Sequence, residues 1–200
     1  MAGKQAKILT NTQATCLLDF ASTSRNPARN RVLALLSLKA GLRAGEISAL
    51  SWPMVLDPSG EIATAIELRD HAAKKRSGRL VPIHPMLRVA LEAWRLETTA
   101  AGPVIKSERG GRMTPVSIVN WFALAFRALG FEGCTSHSGR RTFITRAARM
   151  VHRAGGSLRD VQCKRPANHA FRISPTRETV CSLTGKLRGT HDESYGSFRS

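Results

Sequence analysis

The stretch Cys134–Met150, "CTSHSGRRTFITRAARM", sets His137 three residues before Arg140, with Arg141 beside it, where an amphipathic helix begins. A solvated helix face is the usual place for adjacent arginines. A helix start offers an alternative, because its backbone N–H groups point at an anion and the planar guanidinium fork fits phosphate oxygens. Which reading holds depends on whether other cations of the chain reach the same point.

Two hundred residues are enough for one cored domain, or for one domain and a tail. A hydrophobic fraction of 42% excludes a wholly disordered chain. The charge is unusual: 31 Lys and Arg against 14 Asp and Glu give a formal +17. Such a field draws polyanions, nucleic acid before others. No long apolar run or signal-like leader is present, and the start "MAGKQAKILTNTQ" is polar, so no membrane partner is expected. Cys16, Cys134, Cys163 and Cys181 form no C-x-x-C pair. Neither a metal site nor a disulfide framework is expected, and a reducing, cytoplasmic location fits best.

The grammar of the remaining chain is helical with one hairpin. In "SRNPARNRVLALLSLKAGLRAGE", Asn26 caps, Pro27 takes the first helical position and Gly41 stops a helix that buries Val32, Leu35, Leu36 and Leu38. A short helix is predicted from about Ala44 to Trp52, ending before Pro53. "EIATAIEL" and "RLVPI" read as two antiparallel strands from their β-branched alternation. Their connecting loop carries Lys74, Lys75, Arg76 and, at its end, Arg79. "HPMLRVALEAWRLE" is a helix opened by Pro85, "GPVIKSERGGRM" an edge strand with a glycine turn, and Thr114–Pro115 open a helix closed by Gly130. A last helix is predicted from about His137 to Arg153, followed by a cap at Ser157. From Cys163 no helical or strand period is visible, and a poorly ordered tail is expected. The fold class is therefore α+β, mainly α-helical with a small antiparallel β-sheet.

Three basic clusters now stand at separate places on a well-patterned domain. They are Arg43 with Glu46, Lys74 with its neighbours, and His137 with Arg140. Converged, they would clamp one phosphodiester and stabilise the added negative charge of a pentacoordinate transition state. Apart, they are basic patches. Arg141 reads as a phosphate-positioning bystander, Glu46 could be only a helix-start acid favoured by the helix dipole, and His137 could have no proton to move.

The residues also resemble a known family. "AGLRAGEISALSW" is similar to the first arginine box of the tyrosine recombinases, the phage-integrase type of site-specific recombinase. "AAKKRSGRLVPI" resembles that family's hairpin lysine and the strand after it, and "HSGRRTFITRAARMVHRAGGSLRDVQ" its His-x-x-Arg box. The resemblance runs from about Arg29 to Gln162 and implies the tyrosine-recombinase catalytic-domain fold, acting on double-stranded DNA with other recombinase subunits. It implies that Arg43 and Arg140 hold the scissile phosphate and that Lys74 is the general acid, with Lys75 its substitute. It further implies that His137 assists proton transfer and that Glu46 steadies the site, with no metal or other cofactor. Lys75, Arg76, Arg79 and Arg141 would then be DNA contacts. The family's nucleophile is a tyrosine that forms a 3′-phosphotyrosyl link.

That resemblance breaks after Gln162. Where a Leu-Gly-His segment belongs, the chain reads "CKRPANHAF", with Asn168 before His169 and two residues of extra spacing. Nine residues past His169 stands Glu178, not tyrosine, and the single tyrosine is Tyr195 in "HDESYGSF". A shift of reading frame or a recombined gene end would produce such a break. The expected organisation is residues 1–28 as a short N-terminal segment without a core-binding domain, 29–162 as the integrase-like domain, and 163–200 as an atypical tail. Two functions remain: a DNA breaking and rejoining enzyme, its tyrosine being Tyr195 or one from a partner subunit, and a non-catalytic DNA-binding remnant. A structural RNA-binding protein explains the charge but not three ordered motifs.

Overall fold

The computed structural model describes residues 5–73 and 78–153. At its centre is helix α2, Pro27–Lys39, which is enclosed all round: Val32, Leu33, Ala34, Leu35, Leu36, Ser37 and Leu38 are all buried. A helix without a polar stripe of its own must be wrapped by others. Helices α1 (Asn11–Thr23), α4 (Pro85–Glu97) and α6 (Ser138–Arg153) supply that wrapping. Each fully buried leucine of α2 contributes about 2 kcal/mol of transfer free energy. Asn26 sits at the N-cap of α2, but its side chain accepts from no N–H of the helix, and its Nδ2 donates to Glu108 Oε1 at 3.3 Å.

Helix α1 carries its own signals in the sequence. Thr10 and Gln13 form a reciprocal capping box, and Ala14, Leu17, Leu18 and Ala21 repeat along one buried face. The residues before it run along α6: Lys7 N–H donates to the Gly133 carbonyl (3.2 Å) and Leu9 N–H to Thr142 Oγ1 (2.8 Å).

After Gly41 the chain enters α3, which spans Ala44–Ala49 and stops three residues short of the expected end. The reason is pairing: Trp52 N–H reaches the Gly102 carbonyl and Val104 N–H the Leu50 carbonyl, so the chain after Ala49 is drawn out of the helix. Trp52–Met54 is a 3-10 turn containing Pro53. The expected edge strand in residues 102–113 is reduced to the bridges Ser51↔Pro103 and Lys106↔Arg112.

Strands β1 (Ala65–Leu68) and β2 (Arg79–Pro82) form the antiparallel pair, in the register Ile66↔Val81 and Leu68↔Arg79. The first half of the expected first strand is used elsewhere, because Ala63 N–H bonds the Val55 carbonyl and Asp57 N–H the Glu61 carbonyl in a tight turn. Ile66, Leu68 and Val81 are buried, so alternation puts Arg79 on the buried face with them. The hairpin loop is pinned at its base by Gly78 N–H to Asp70 Oδ1 at 2.7 Å. Lys74, Lys75 and Arg76 lie outside the described residues, as do Ser157, His169, Glu178 and Tyr195. Helix α5, Pro115–Ala128, is capped by Thr114 and buries Ile118, Phe122, Ala125 and Phe126. No helix among the described residues is long and apolar enough to cross a membrane.

Candidate active site

Glu46 is the pivot. It is the third residue of α3, only 2% exposed, and it faces three guanidinium groups from three different elements. Arg43, at the N-cap of α3, reaches Oε1 through Nη1 at 3.0 Å and Oε2 through its backbone N–H at 2.9 Å. Arg79, from the start of β2, makes a two-pronged contact of 3.1 Å and 2.9 Å with both carboxylate oxygens. Arg140, in the first turn of α6, places Nη1 at 3.8 Å from Oε2 and donates to the Gly41 carbonyl. Burial alone would push the Glu46 carboxyl up. The hydrogen bonds from Arg79 and from the Arg43 backbone, and the charges of both arginines, outweigh it and hold Glu46 below the usual carboxylate range.

Among the described residues three cations share this one anion, a surplus of two positive charges. That surplus faces outward by degrees: the side chains of Arg79, Arg140 and Arg43 are 14%, 22% and 37% exposed. Arg79 closes the inner side and Arg43 and Arg140 stand nearer solvent. A phosphodiester has one negative charge and its pentacoordinate transition state two, so the surplus matches what such a group needs. Guanidinium pairs anchored at their inner edges bind a tetrahedral oxyanion with little further loss of rotamer freedom.

The sequence-predicted residues divide accordingly. Arg43, Glu46 and Arg140 converge. Arg79, expected as a DNA contact, is instead turned inward on Glu46, and the alternation inward Val81, inward Arg79 was the signal that could have shown it. His137 is exposed, directly before α6, with its N–H on Thr135 Oγ1 at 3.2 Å and its carbonyl accepting from Arg141 N–H at 2.9 Å. It opens onto a shallow groove shared with Gln5, Ala6, Val119, Thr135 and Arg141. Arg141 does not join the cluster: its Nη1 donates to the Ala6 carbonyl at 2.8 Å, tying the residues before α1 to the helix of Arg140.

This arrangement is a tyrosine-recombinase catalytic-domain fold. The chain belongs to the phage integrase family, which matches it over residues 7–164. Among solved structures it is similar to XerA recombinase, at 24% identity and a TM-score of 0.62, over 78% of this chain and 54% of that one. It is also similar to the Tn1549 transposon integrase in complex with a circular intermediate DNA, at 20% identity and a TM-score of 0.61, over 81% and 58% of the two chains. A lambda integrase tetramer bound to a Holliday junction matches at 17% identity and a TM-score of 0.63, over 86% and 52%. The chain thus spans between half and three fifths of the length of these relatives. No curated protein sequence matches it.

Proposed function

We propose that this domain binds double-stranded DNA and holds one phosphodiester between Arg43 and Arg140, as the phosphate-gripping part of a DNA breaking and rejoining apparatus. The observation that carries this reading is the buried Glu46 carboxylate shared by Arg43, Arg79 and Arg140, a net cationic site at the solvent boundary of a basic chain. Glu46 fixes the arginines before substrate arrives, so their geometry needs no reorganisation when charge builds on phosphorus. Lys74, on the β1–β2 loop, protonates the leaving 5′-oxygen to give the 5′-hydroxyl, and Lys75 is its substitute. His137, three residues before Arg140, assists proton transfer. The nucleophile is a tyrosine, Tyr195 or one delivered by another subunit, and its attack exchanges the P–O5′ bond for a P–O bond to tyrosine. Lys75, Arg76 and Arg141 add to the basic surface around the site, and the reaction has no place for a metal.

The likeness to recombinases solved with circular-intermediate and Holliday-junction DNA supports the choice of substrate. A second reading has its own observation. Glu178 stands where the family resemblance expects the tyrosine, and a carboxylate there repels the phosphate. On that reading the chain is a DNA-holding remnant whose final segment was replaced after Gln162. Trapping on nicked duplex DNA separates the two. A covalent protein–DNA adduct that disappears on Tyr195→Phe supports cleavage by the chain's own tyrosine. An adduct on a full-length relative that keeps its tyrosine but lacks its own active-site arginines, formed only when this chain is added, supports delivery in trans. Duplex binding with no adduct under either condition sinks the cleavage reading and leaves the remnant.

A further inference from the structure

Helices α2 and α6 meet through two reciprocal contacts that flank Arg140. On the α2 side Ser37 presents a side chain and Gly41, four residues on, presents bare backbone. On the α6 side the order is reversed, with Gly139 bare and Phe143 presenting a ring. A Cβ at Gly139 would overlap Ser37 Oγ and lie 3.0 Å from Ser37 Cβ. A Cβ at Gly41 would overlap the Phe143 ring, at 3.0 Å from both Cγ and Cε1. Gly41 also holds φ at +63°, a conformation that other residues adopt only with strain. Ser37 is fully buried, and its Oγ has no hydrogen-bond partner among the described residues. The hydroxyl therefore acts by filling space against Gly139, in an interior that is close-packed.

Arg140 sits between these contacts. It follows Gly139 directly, and its guanidinium donates to the Gly41 carbonyl. Two residues beyond Gly41 the chain reaches Arg43 and the start of α3. Gly41 thus accepts from one arginine of the site and lies two residues before the other. We propose that this reciprocal interlock, Ser37 into Gly139 and Phe143 onto Gly41, sets the position of Arg140 relative to Arg43 and Glu46. Ser37, Gly41, Gly139 and Phe143 are then positioning residues for the phosphate site, a conclusion that rests on reading Arg43 and Arg140 as its grip. A shift of about 1 Å at the start of α6 is enough to degrade a fork-to-phosphate contact.

The test exchanges the side chain across the contact. Wild type, Gly139→Ala, Ser37→Gly and the double variant are compared by the NMR signal of the Arg140 guanidinium in the free protein, assigned with Arg140→Lys. Duplex DNA affinity against salt and thermal melting are measured alongside. Gly139→Ala is expected to move the Arg140 signal, weaken duplex binding about ten-fold and lower the slope of log K against log salt by about one. Adding Ser37→Gly restores signal and slope, even though glycine inside α2 keeps the double variant less stable than wild type. A contact that only stabilises the fold would lower melting in both single variants, add in the double, and leave signal and slope unmoved. If Gly139→Ala does not fold, Phe143→Leu removes the ring from Gly41 and asks the same question from the second contact. An Arg140 signal unchanged in these variants, or unrestored in the double, overturns the proposal. If the signal moves and returns while Arg140→Ala itself leaves the salt slope unchanged, the interlock stands and the phosphate reading fails.

Discussion

Arginine is drawn into a polar cluster at either end of α2, and the two clusters differ in what their cations touch. At the N-terminal end Arg29, 7% exposed, donates to Asn30 Oδ1 at 3.1 Å and to the Lys106 carbonyl at 3.2 Å. Asn30 in turn donates to Ser24 Oγ at 2.7 Å. Desolvation pulls the Arg29 pKa below the usual arginine value, with only the more distant charge of Glu108 opposing it. At the C-terminal end, by contrast, three arginines converge on the carboxylate of Glu46 and step outward to solvent. The first cluster ties a loop to a helix through neutral acceptors and is closed. The second keeps surplus charge at its mouth. Burial of an arginine by itself is therefore no sign of a ligand.

Removing the pivot breaks the comparison most severely. Glu46→Ala takes from the largely buried Arg79 its two-pronged counter-charge, a lesion expected to cost about 3–5 kcal/mol in urea denaturation. Retention of wild-type stability would show that the arginines do not depend on Glu46. Arg29→Leu at the other end is expected to cost about 2 kcal/mol, through lost hydrogen bonds and an orphaned Asn30 oxygen. Its duplex-DNA affinity at matched folded fraction stays at the wild-type value; a loss there would erase the distinction between the clusters.

Acid sharpens the same comparison. The folded-state pKa of Glu46 is held below its unfolded value, so its contribution to stability is fully present above the unfolded value of about 4.3 and is lost as pH falls through the folded one. The difference in melting temperature between wild type and Glu46→Gln should be constant from about pH 7 to pH 5 and close only below about pH 4. A difference that closes near neutrality contradicts the depressed pKa. The smallest effect is expected from Arg141→Ala, which frees the Ala6 carbonyl at about 1 kcal/mol. Faster amide exchange at Lys7 and Leu9, without faster exchange in α2, is the expected signature.

Much of this was legible before the structure. Helix α2 announced itself by Pro27 and Gly41, α5 by Thr114–Pro115, and the hairpin by alternation in "AIEL" and "RLVP". Arg43, Glu46 and Arg140 were visible as cations and an acid at helix starts, and their order along the chain pointed to the family. Helix α1 is signalled by its Thr10–Gln13 capping box and the buried repeat of Ala14, Leu17, Leu18 and Ala21. Arg79 lies beside three other basic residues, and strand alternation turns it towards Glu46. The meeting of Arg140 with Gly41 spans 99 residues and depends on how closely two helices pack, which no local pattern encodes. Where α3 stops was likewise decided by residues 102–104, far along the chain.

The most direct test of the central claim is the salt dependence of duplex DNA binding by wild type and Arg43→Ala. Arg43 is the most exposed of the three arginines, and its alanine variant keeps the backbone N–H that caps α3 on Glu46, so the fold is retained. Arg43→Ala is expected to bind about ten-fold more weakly, with a slope of log K against log salt smaller by about one, for one phosphate no longer engaged. Equal slopes in a folded variant would contradict it, and would return Arg43 to the ordinary population of surface arginines.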